Sequence, residues 1–404
     1  MNKCKSYTGI DLFRLVAAIL IITIHTSPLA SFTATGDFIL TRILARVAVP
    51  FFFMTSGFFL ISRYSRDNKK RKKFVKKTAY IYVLAILIYI PVNIYNGYFN
   101  CGSLIPNILK DLFFDGTIYH LWYLPASIFG AGIAWYLVKR LDYKKAMLAS
   151  SALYLIGLFG DSYYGIAEKI PGLNSFYPFV FQVSDYTRNG IFFAPAFFVL
   201  GGLTADMPHK NSLRKSGLGF GISLTFLLAE ALLLHYLDLQ RHDSMYIFLL
   251  PCMYFLFHVI LHLQGKRLVW IRTLSLCIYI IHPMMIIMVR LLAKVTHLQN
   301  WLIENSLLHF GVVCFTSAAV GIAVAALFSI YKSKNKKPAP HMDRAWIEVH
   351  LNHLAHNVKV LKKAMPPKCQ LMAVVKAEAY GHRAFEVSTC LEKIGVKAFA
   401  VATI

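Results

Sequence analysis

Charge is scarce in this sequence, and acidic charge is scarcest. Only 15% of its 404 residues are charged, and just 19 residues are Asp or Glu, whereas a soluble domain carries roughly 25% charged residues. Against so few acids, 43 Lys and Arg leave a net charge of +24. A nucleic-acid binder spreads such a surplus over a polar face, and a chain that is 57% apolar has no such face to offer. Cysteine is also thin. Cys4, Cys101, Cys252, Cys277, Cys314, Cys369 and Cys390 form no CxxC pair, which excludes a disulfide scaffold and leaves reduced packing residues. The N-terminus is basic and then apolar but lacks a clean small-residue cleavage site, so it reads as a first transmembrane helix rather than a signal peptide.

What the chain has in abundance is long apolar runs. A span needs about 20 mostly apolar residues, and ten segments approach this, near 12–30, 43–62, 78–96, 118–138, 146–160, 191–204, 216–236, 245–263, 274–290 and 308–331. The fifth and sixth are short. Trp122, Tyr123, Trp135, Tyr136 and Trp270 fall near span ends, as interfacial aromatics do. The loops alternate in charge. Segments 63–77, 139–145, 206–215, 263–272 and 332–337 together carry +20, whereas 97–117, 161–190, 237–244 and 291–307 hold five basic residues against eight acidic. Lys and Arg collect in cytoplasmic loops, so both ends are expected in the cytoplasm. The run Lys69-Lys70-Arg71-Lys72-Lys73 then reads as a solvated loop touching anionic lipid, with no nucleic-acid role.

Composition changes after residue 331. Lys332 through Pro340 is a charged, Pro-containing stretch of the kind that separates domains, which divides the chain into a membrane domain (1–331), a linker (332–341) and a C-terminal segment (342–404). In that segment Ala345–Val349 alternates like a strand. Leu351, Leu354, Val358 and Leu361 have helical spacing that Pro366-Pro367 stops, Leu371–Val375 and Ala398–Ile404 read as strands, and Ala384–Ile394 reads as a helix between them. Strand–helix–strand order predicts parallel pairing. About 60 residues cannot close a large α/β domain, so the segment reads as a fragment cut inside its domain.

Ionisable groups inside a span usually face a cavity or a partner. The first span holds Asp11, Arg14 and His25. At about 100° per residue, Arg14 and His25 lie about 20° apart and Asp11 within about 60° of both, with His25 roughly 16 Å above Arg14. Two readings stay open on this spacing: an interfacial Asp11–Arg14 pair beside a helix-packed His25, or a functional stripe. His258 and His262 share a helix face, but no third ligand has metal-site spacing, so they read as buried or interfacial histidines and no metal is expected. Arg188 is either an interfacial anchor or part of a polar entrance to a cavity.

The stretch Gly9-Ile-Asp11-Leu-Phe-Arg14 through His25, with ten residues between Arg and His, resembles the first helix of the acyltransferase-3 family of integral membrane proteins. Val49-Pro50 through Gly57-Phe58, His120-Leu-Trp122-Tyr123-Leu-Pro125, Arg188-Asn-Gly190-Ile-Phe-Phe and Ser275 through His282-Pro283 resemble its further motifs. The resemblance covers roughly residues 6–331. It implies that His25, with Arg14 and Asp11, serves acyl transfer from a cytoplasmic acyl donor to an acceptor across the membrane. An imidazole, whose pKa lies near neutrality, suits a base in that step.

In the C-terminal segment, Ala373-Val-Val-Lys376-Ala-Glu-Ala-Tyr380-Gly381-His382 places an amine at the C-terminal end of a parallel strand, the end where α/β barrels build their sites. Taken alone, such a lysine is either a surface charge or the anchor of a carbonyl cofactor. Together with Arg344-Ala-Trp346-Ile-Glu348-Val and Asn357, the motif resembles the start of the alanine racemase family. The resemblance implies that Lys376 carries pyridoxal 5'-phosphate (PLP), that Tyr380 contacts the cofactor phosphate, and that the complete domain is dimeric. Glu378 stands where that family usually has Asn or Asp, and Arg383 where it has Gly.

Both parts in this order, with Asp185-Tyr-Thr-Arg188-Asn-Gly-Ile-Phe-Phe, Arg241-His-Asp243-Ser-Met245-Tyr and Phe399-Ala-Val-Ala-Thr, resemble the membrane-bound serine racemases of vancomycin-resistant bacteria. The expected architecture is an α-helical polytopic membrane protein of about ten transmembrane helices, followed by an incomplete α/β segment of TIM-barrel type in the cytoplasm. The resemblance implies a racemase acting on L-serine or L-alanine for peptidoglycan precursors, with a membrane domain that helps supply L-serine. The fragment itself is expected to be inactive. The alternatives are a membrane O-acyltransferase acting on an extracytoplasmic glycan or cell-wall acceptor, and a transporter or scaffold in which Arg14 and Asp11 line a substrate path.

Overall fold

Every apolar run folds as a helix in the computed structural model, which describes residues 7–61, 68–100, 102–206, 212–266, 268–334 and 348–402. The chain divides into two units, Met1–Ser329 and Ile330–Ile404. In the first unit the principal helices are α1 (Thr8–Thr26), α2 (Ala34–Leu60), α3 (Asn68–Tyr95), α4 (Tyr123–Arg140), α5 (Tyr143–Phe159), α6 (Ala194–Asp206), α7 (Leu213–Tyr236), α8 (Leu249–His262), α9 (Val269–Val295) and α10 (Ser306–Lys334). Six of them, α1, α2, α3, α7, α9 and α10, are long and apolar enough to cross a membrane, while α6 and α8 are shorter apolar helices. The N-termini of α5 and α7 are capped by short polar side chains. Asp142 accepts from the amide of Lys145 at 2.9 Å and Ser212 from that of Lys215 at 3.3 Å.

Two features of this bundle position the site. First, α2 is not a uniform α-helix: its turns widen over Ile39–Ile43 and tighten over Leu44–Val47, a local irregularity of the kind found at functional positions. Second, α2 and α6 meet backbone to backbone. A Cβ on Gly57 would lie 2.1 Å from the carbonyl oxygen of Phe198, and one on Gly201 would lie 2.1 Å from that of Met54. Glycine alone permits so close an approach, and small residues let helices associate tightly in membranes. Phe51, Phe53, Phe197 and Phe198 fill the core around this seam.

The loops at one end of the bundle are fastened by buried carboxylates. Asp161 Oδ1 accepts from the amides of Ser244 and Met245 at 2.7 and 2.9 Å. Glu230 accepts from the amides of Ile247 and Phe248 and from the hydroxyl of Tyr163. Asn189 folds its own loop, with Oδ1 accepting from the amides of Ile191 and Phe192 and Nδ2 donating to the carbonyl of Tyr186.

In the second unit, α11 (Leu351–Ala364), β1 (Met372–Val374), α12 (Ala384–Lys393) and β2 (Ala398–Ala400) follow in order. The strands pair in parallel, with Met372 opposite Ala398 and Val374 opposite Ala400, as the strand–helix–strand order predicts. Val358, Val375, Val387, Leu391 and Val396 form its core. The second strand is shorter than the predicted 398–404, with residues 403–404 outside the described set. Most of the strand expected over 345–349 also lies outside it, and residues 348–350 are irregular. Cys4 and Cys101 lie outside it as well, whereas the described Cys252, Cys277, Cys314, Cys369 and Cys390 are free thiols.

Candidate functional site

A cavity of about 140 Å³ opens within the helical unit. Arg14 and His25, two of the three residues of the stripe predicted on α1, both line it. Asp11 does not line it. That carboxylate is fully buried and turned to the start of α9, where Arg272 donates from Nε to Oδ1 at 2.7 Å and from Nη2 to Oδ2 at 3.2 Å. The amide of Leu268 adds a third bond at 3.1 Å. The interfacial pair open to Asp11 in the sequence is therefore made with Arg272 rather than Arg14. Arg272 itself lines the cavity, so Asp11 bears on the cavity through the guanidinium it holds.

His25, His120 and Tyr279 line the cavity as part of a cluster of rings. His25 stacks on His282 with centroids 5.4 Å apart and lies 4.6 Å from Tyr119. His120 meets His282 edge-on at 5.3 Å and Tyr279 at 5.6 Å, while the Tyr279 hydroxyl donates to the carbonyl of His120 at 2.8 Å. His282 Nδ1 is spent on backbone carbonyls of its own helix at 2.9 and 3.2 Å. Both ring nitrogens of His120 and Nε2 of His282 are buried without a partner among the described residues. Unpaired buried polar atoms are costly, and such a set suits a polar occupant. A neutral imidazole carries one acceptor and one donor, so these rings can take or give a proton.

At the end of the cavity near the fastened loops stand Arg46 and Arg188. Arg188 lines the cavity and lies over Tyr186 at 4.2 Å and Trp122 at 5.2 Å. Burial pushes its guanidinium down from the ordinary range, and Asp161 opposes that shift. Burial likewise raises the Asp161 carboxyl to about 7, against the pull of the Ser244 amide and Arg188, and lowers His242 to about 4. His258 and His262 each bond a backbone carbonyl of their own helix at 2.9 and 2.8 Å, and among the described residues no group of three His, Cys, Asp or Glu is placed to hold a metal.

The second unit carries its own constellation. Lys376 follows β1 and is exposed. The chain then takes four successive left-handed residues, Ala377 to Tyr380, with φ between 50° and 58°, and continues through Gly381 at 83° and Arg383 at 66°. Left-handed backbone favours Gly and, after it, Asn and Asp. Glu378 and Arg383, which depart from the alanine racemase pattern, both occupy such positions. Glu378 is held by accepting from the amide of Ala384 at 2.9 Å. Tyr380, 60% exposed, projects from the same turn. A primary amine at a strand end, with a free phenol four residues on, is a donor set that fits PLP.

Residues 7–326 match the family described as acyltransferase domain, and residues 349–404 match the N-terminal domain of alanine racemase. The chain belongs to the acyltransferase-3 family. An amino-acid racemase of Enterococcus faecalis is 55% identical over 406 residues, spanning 100% of this chain and 57% of that protein. A serine/alanine racemase of Enterococcus gallinarum is 38% identical over 98% of this chain and 57% of its own length. An alanine racemase of a Nostoc strain is 49% identical over 61 residues, 15% of this chain and 16% of that protein. The chain thus spans a little over half the length of the racemases it matches along its whole extent. No solved structure matches it.

Within the acyltransferase-3 domain, Arg46 and Arg272 are cavity residues that sequence reasoning missed. Arg46 carried a signal, since it is an arginine inside a predicted span. Arg272 was counted as a loop charge, and nothing in its sequence context distinguishes it from Lys266 or Arg267.

Proposed function

We propose that the complete protein is a membrane-bound amino-acid racemase that forms D-serine from L-serine, with L-alanine as a second substrate, for peptidoglycan precursors ending in D-Ala-D-Ser in vancomycin resistance. The observation that carries this reading is the succession, in one chain, of an acyltransferase-3 domain and the opening of an alanine racemase domain, the arrangement shared with the serine/alanine racemase of E. gallinarum. The helical domain supplies L-serine across the cell membrane. The alternating loop charge supports a cytoplasmic racemase segment, where PLP is available. Lys376 holds PLP covalently and Tyr380 contacts its phosphate; the cofactor supplies the electron sink that acidifies the substrate's α-hydrogen. The left-handed turn sets the amine and the phenol on one short stretch of backbone, and the complete racemase domain pairs as a dimer.

Borohydride reduction of the protein expressed from its complete reading frame, after incubation with PLP, fixes the cofactor on Lys376. Label elsewhere, or none, overturns the assignment. The second reading, transfer of an acyl group to a cell-wall acceptor, is favoured by the meeting of Arg14 and His25 in one cavity. His25→Ala separates the two: loss of acylation supports it, and unchanged acylation with reduced serine uptake supports supply of the amino acid.

A further inference from the structure

Three guanidinium groups in the cavity, those of Arg14, Arg46 and Arg188, make no ion pair among the described residues, and the Nε of each is buried without a hydrogen-bond partner. A buried charge is strongly unfavourable unless it is paired. Arg272 has Asp11; these three have no such carboxylate. Asp161 attracts Arg188 across the site, with Oδ1 committed to two backbone amides and Oδ2 buried without a partner among the described residues, but the two form no ion pair. Asp243 lies 3.8 Å from Arg42 instead.

Arg46 and Arg188 belong together. Both line the main cavity and the small pocket of about 20 Å³ that continues it, and their charges repel one another. Neither is free to swing away. Arg46 is only 8% exposed and sits on the tightened turn of α2. Arg188 lies against Tyr186 and Trp122 on a loop fixed by Asn189 and by the bond from the Thr187 hydroxyl to the carbonyl of Gly157 at 2.7 Å. Two held guanidiniums lining one space form a fork for an oxyanion.

The rest of the cavity narrows the class of anion. His25 and His120 line the same cavity, and His120 presents two buried ring nitrogens without a partner among the described residues. The acceptor nitrogen of a neutral imidazole can take a hydrogen from an ammonium group, which an inorganic phosphate lacks, while its N–H can donate to either anion. The space of about 140 Å³ suits a compact zwitterion. We propose that Arg46 and Arg188 form an oxyanion subsite that takes the carboxylate of a small α-amino acid, while His120 receives its ammonium group. The inference rests on the reading that the helical domain handles an amino acid, and it names the residues that recognise one.

The test uses the complete protein in lipid nanodiscs and radiolabelled L-serine. Loss of a charge-assisted bidentate contact of this kind weakens binding about tenfold to hundredfold. Arg46→Gln and Arg188→Gln each show a loss of that size, Arg188→Lys recovers part of it, and the ligand-free melting temperature reports that each variant is folded. On the unaltered protein, L-serine protects Arg188 from phenylglyoxal, whereas ethanolamine, which has no carboxylate, does not. Protection by inorganic phosphate equal to that by serine overturns the amino-acid assignment. Unchanged serine affinity in both glutamine variants, or no protection by any anion, overturns the subsite. Serine bound at this pair by a protein without racemase activity leaves the subsite standing and removes the racemase reading.

Discussion

Asp11 and Arg272 join the first helix to the ninth, 261 residues apart, and their energetics follow from the geometry. Asp11 is fully buried and accepts three bonds, while the Arg272 side chain is 31% exposed. Removing one member of a buried pair costs about 3–5 kcal/mol, because the survivor is left charged and unpaired, whereas replacing both by apolar groups is often close to neutral. The two single variants are therefore unequal. Arg272→Met strands a carboxylate with no access to water and costs the full 3–5 kcal/mol or so. Asp11→Ala strands a guanidinium that water reaches in part, together with the Leu268 amide, and costs about 2–4 kcal/mol. Asp11→Leu with Arg272→Met loses only the bond to that amide, about 1 kcal/mol. SDS titration in mixed micelles, followed by tryptophan fluorescence, measures all three. A double variant that falls as far as the sum of the singles refutes the reasoning, and so does an Arg272→Met that unfolds no earlier than Asp11→Ala.

Two further outcomes follow from backbone and proton linkage. Arg383 holds φ 66°, a conformation that costs a non-glycine residue about 1 kcal/mol or more; Arg383→Gly relieves it and forfeits only an exposed ion pair to Glu386 at 3.4 Å. Hydrogen exchange of amides 376–384 should slow in that variant, and unchanged or faster exchange counts against the strain. Asp161, with its pKa raised to about 7 in the folded protein, binds a proton in the folded state that it has lost in the unfolded state between about pH 4 and 7, so its contribution to stability falls as pH rises through that window. Asp161→Asn keeps an acceptor for Ser244 and Met245 without the titration. The melting temperature of the wild type should drop relative to this variant from pH 4 to 7, and parallel curves contradict the assignment.

The helical architecture was legible because a span must be apolar along nearly its whole length, a pattern that survives any packing detail. Parallel pairing of Met372–Val374 with Ala398–Ala400 was legible for a similar reason, since an intervening helix leaves no other short connection. Arg14 and His25 could be placed on one stripe from helical geometry alone. Asp11's partner could not, because an ion pair across 261 residues depends on how α1 and α9 meet. The left-handed turn after Lys376 was equally hidden. Residues such as Ala377, Glu378 and Tyr380 do not favour left-handed backbone, and the burial of Val375 and Ala379 and the bond from the Ala384 amide to Glu378 accompany the mirror conformation.

The glycine seam between α2 and α6 has a mechanical consequence. With carbonyl oxygens of each helix pressed against the glycine of the other, neither can slide or roll without a clash, so the two behave as one beam. Arg46 rides on that beam, while Arg14 and Arg272 ride on α1 and α9, which Asp11 ties together. Residues of α1, α2 and α9 line the cavity, so its walls are set by these two tied pairs, with Pro283 inside α9 marking a place where that helix can bend.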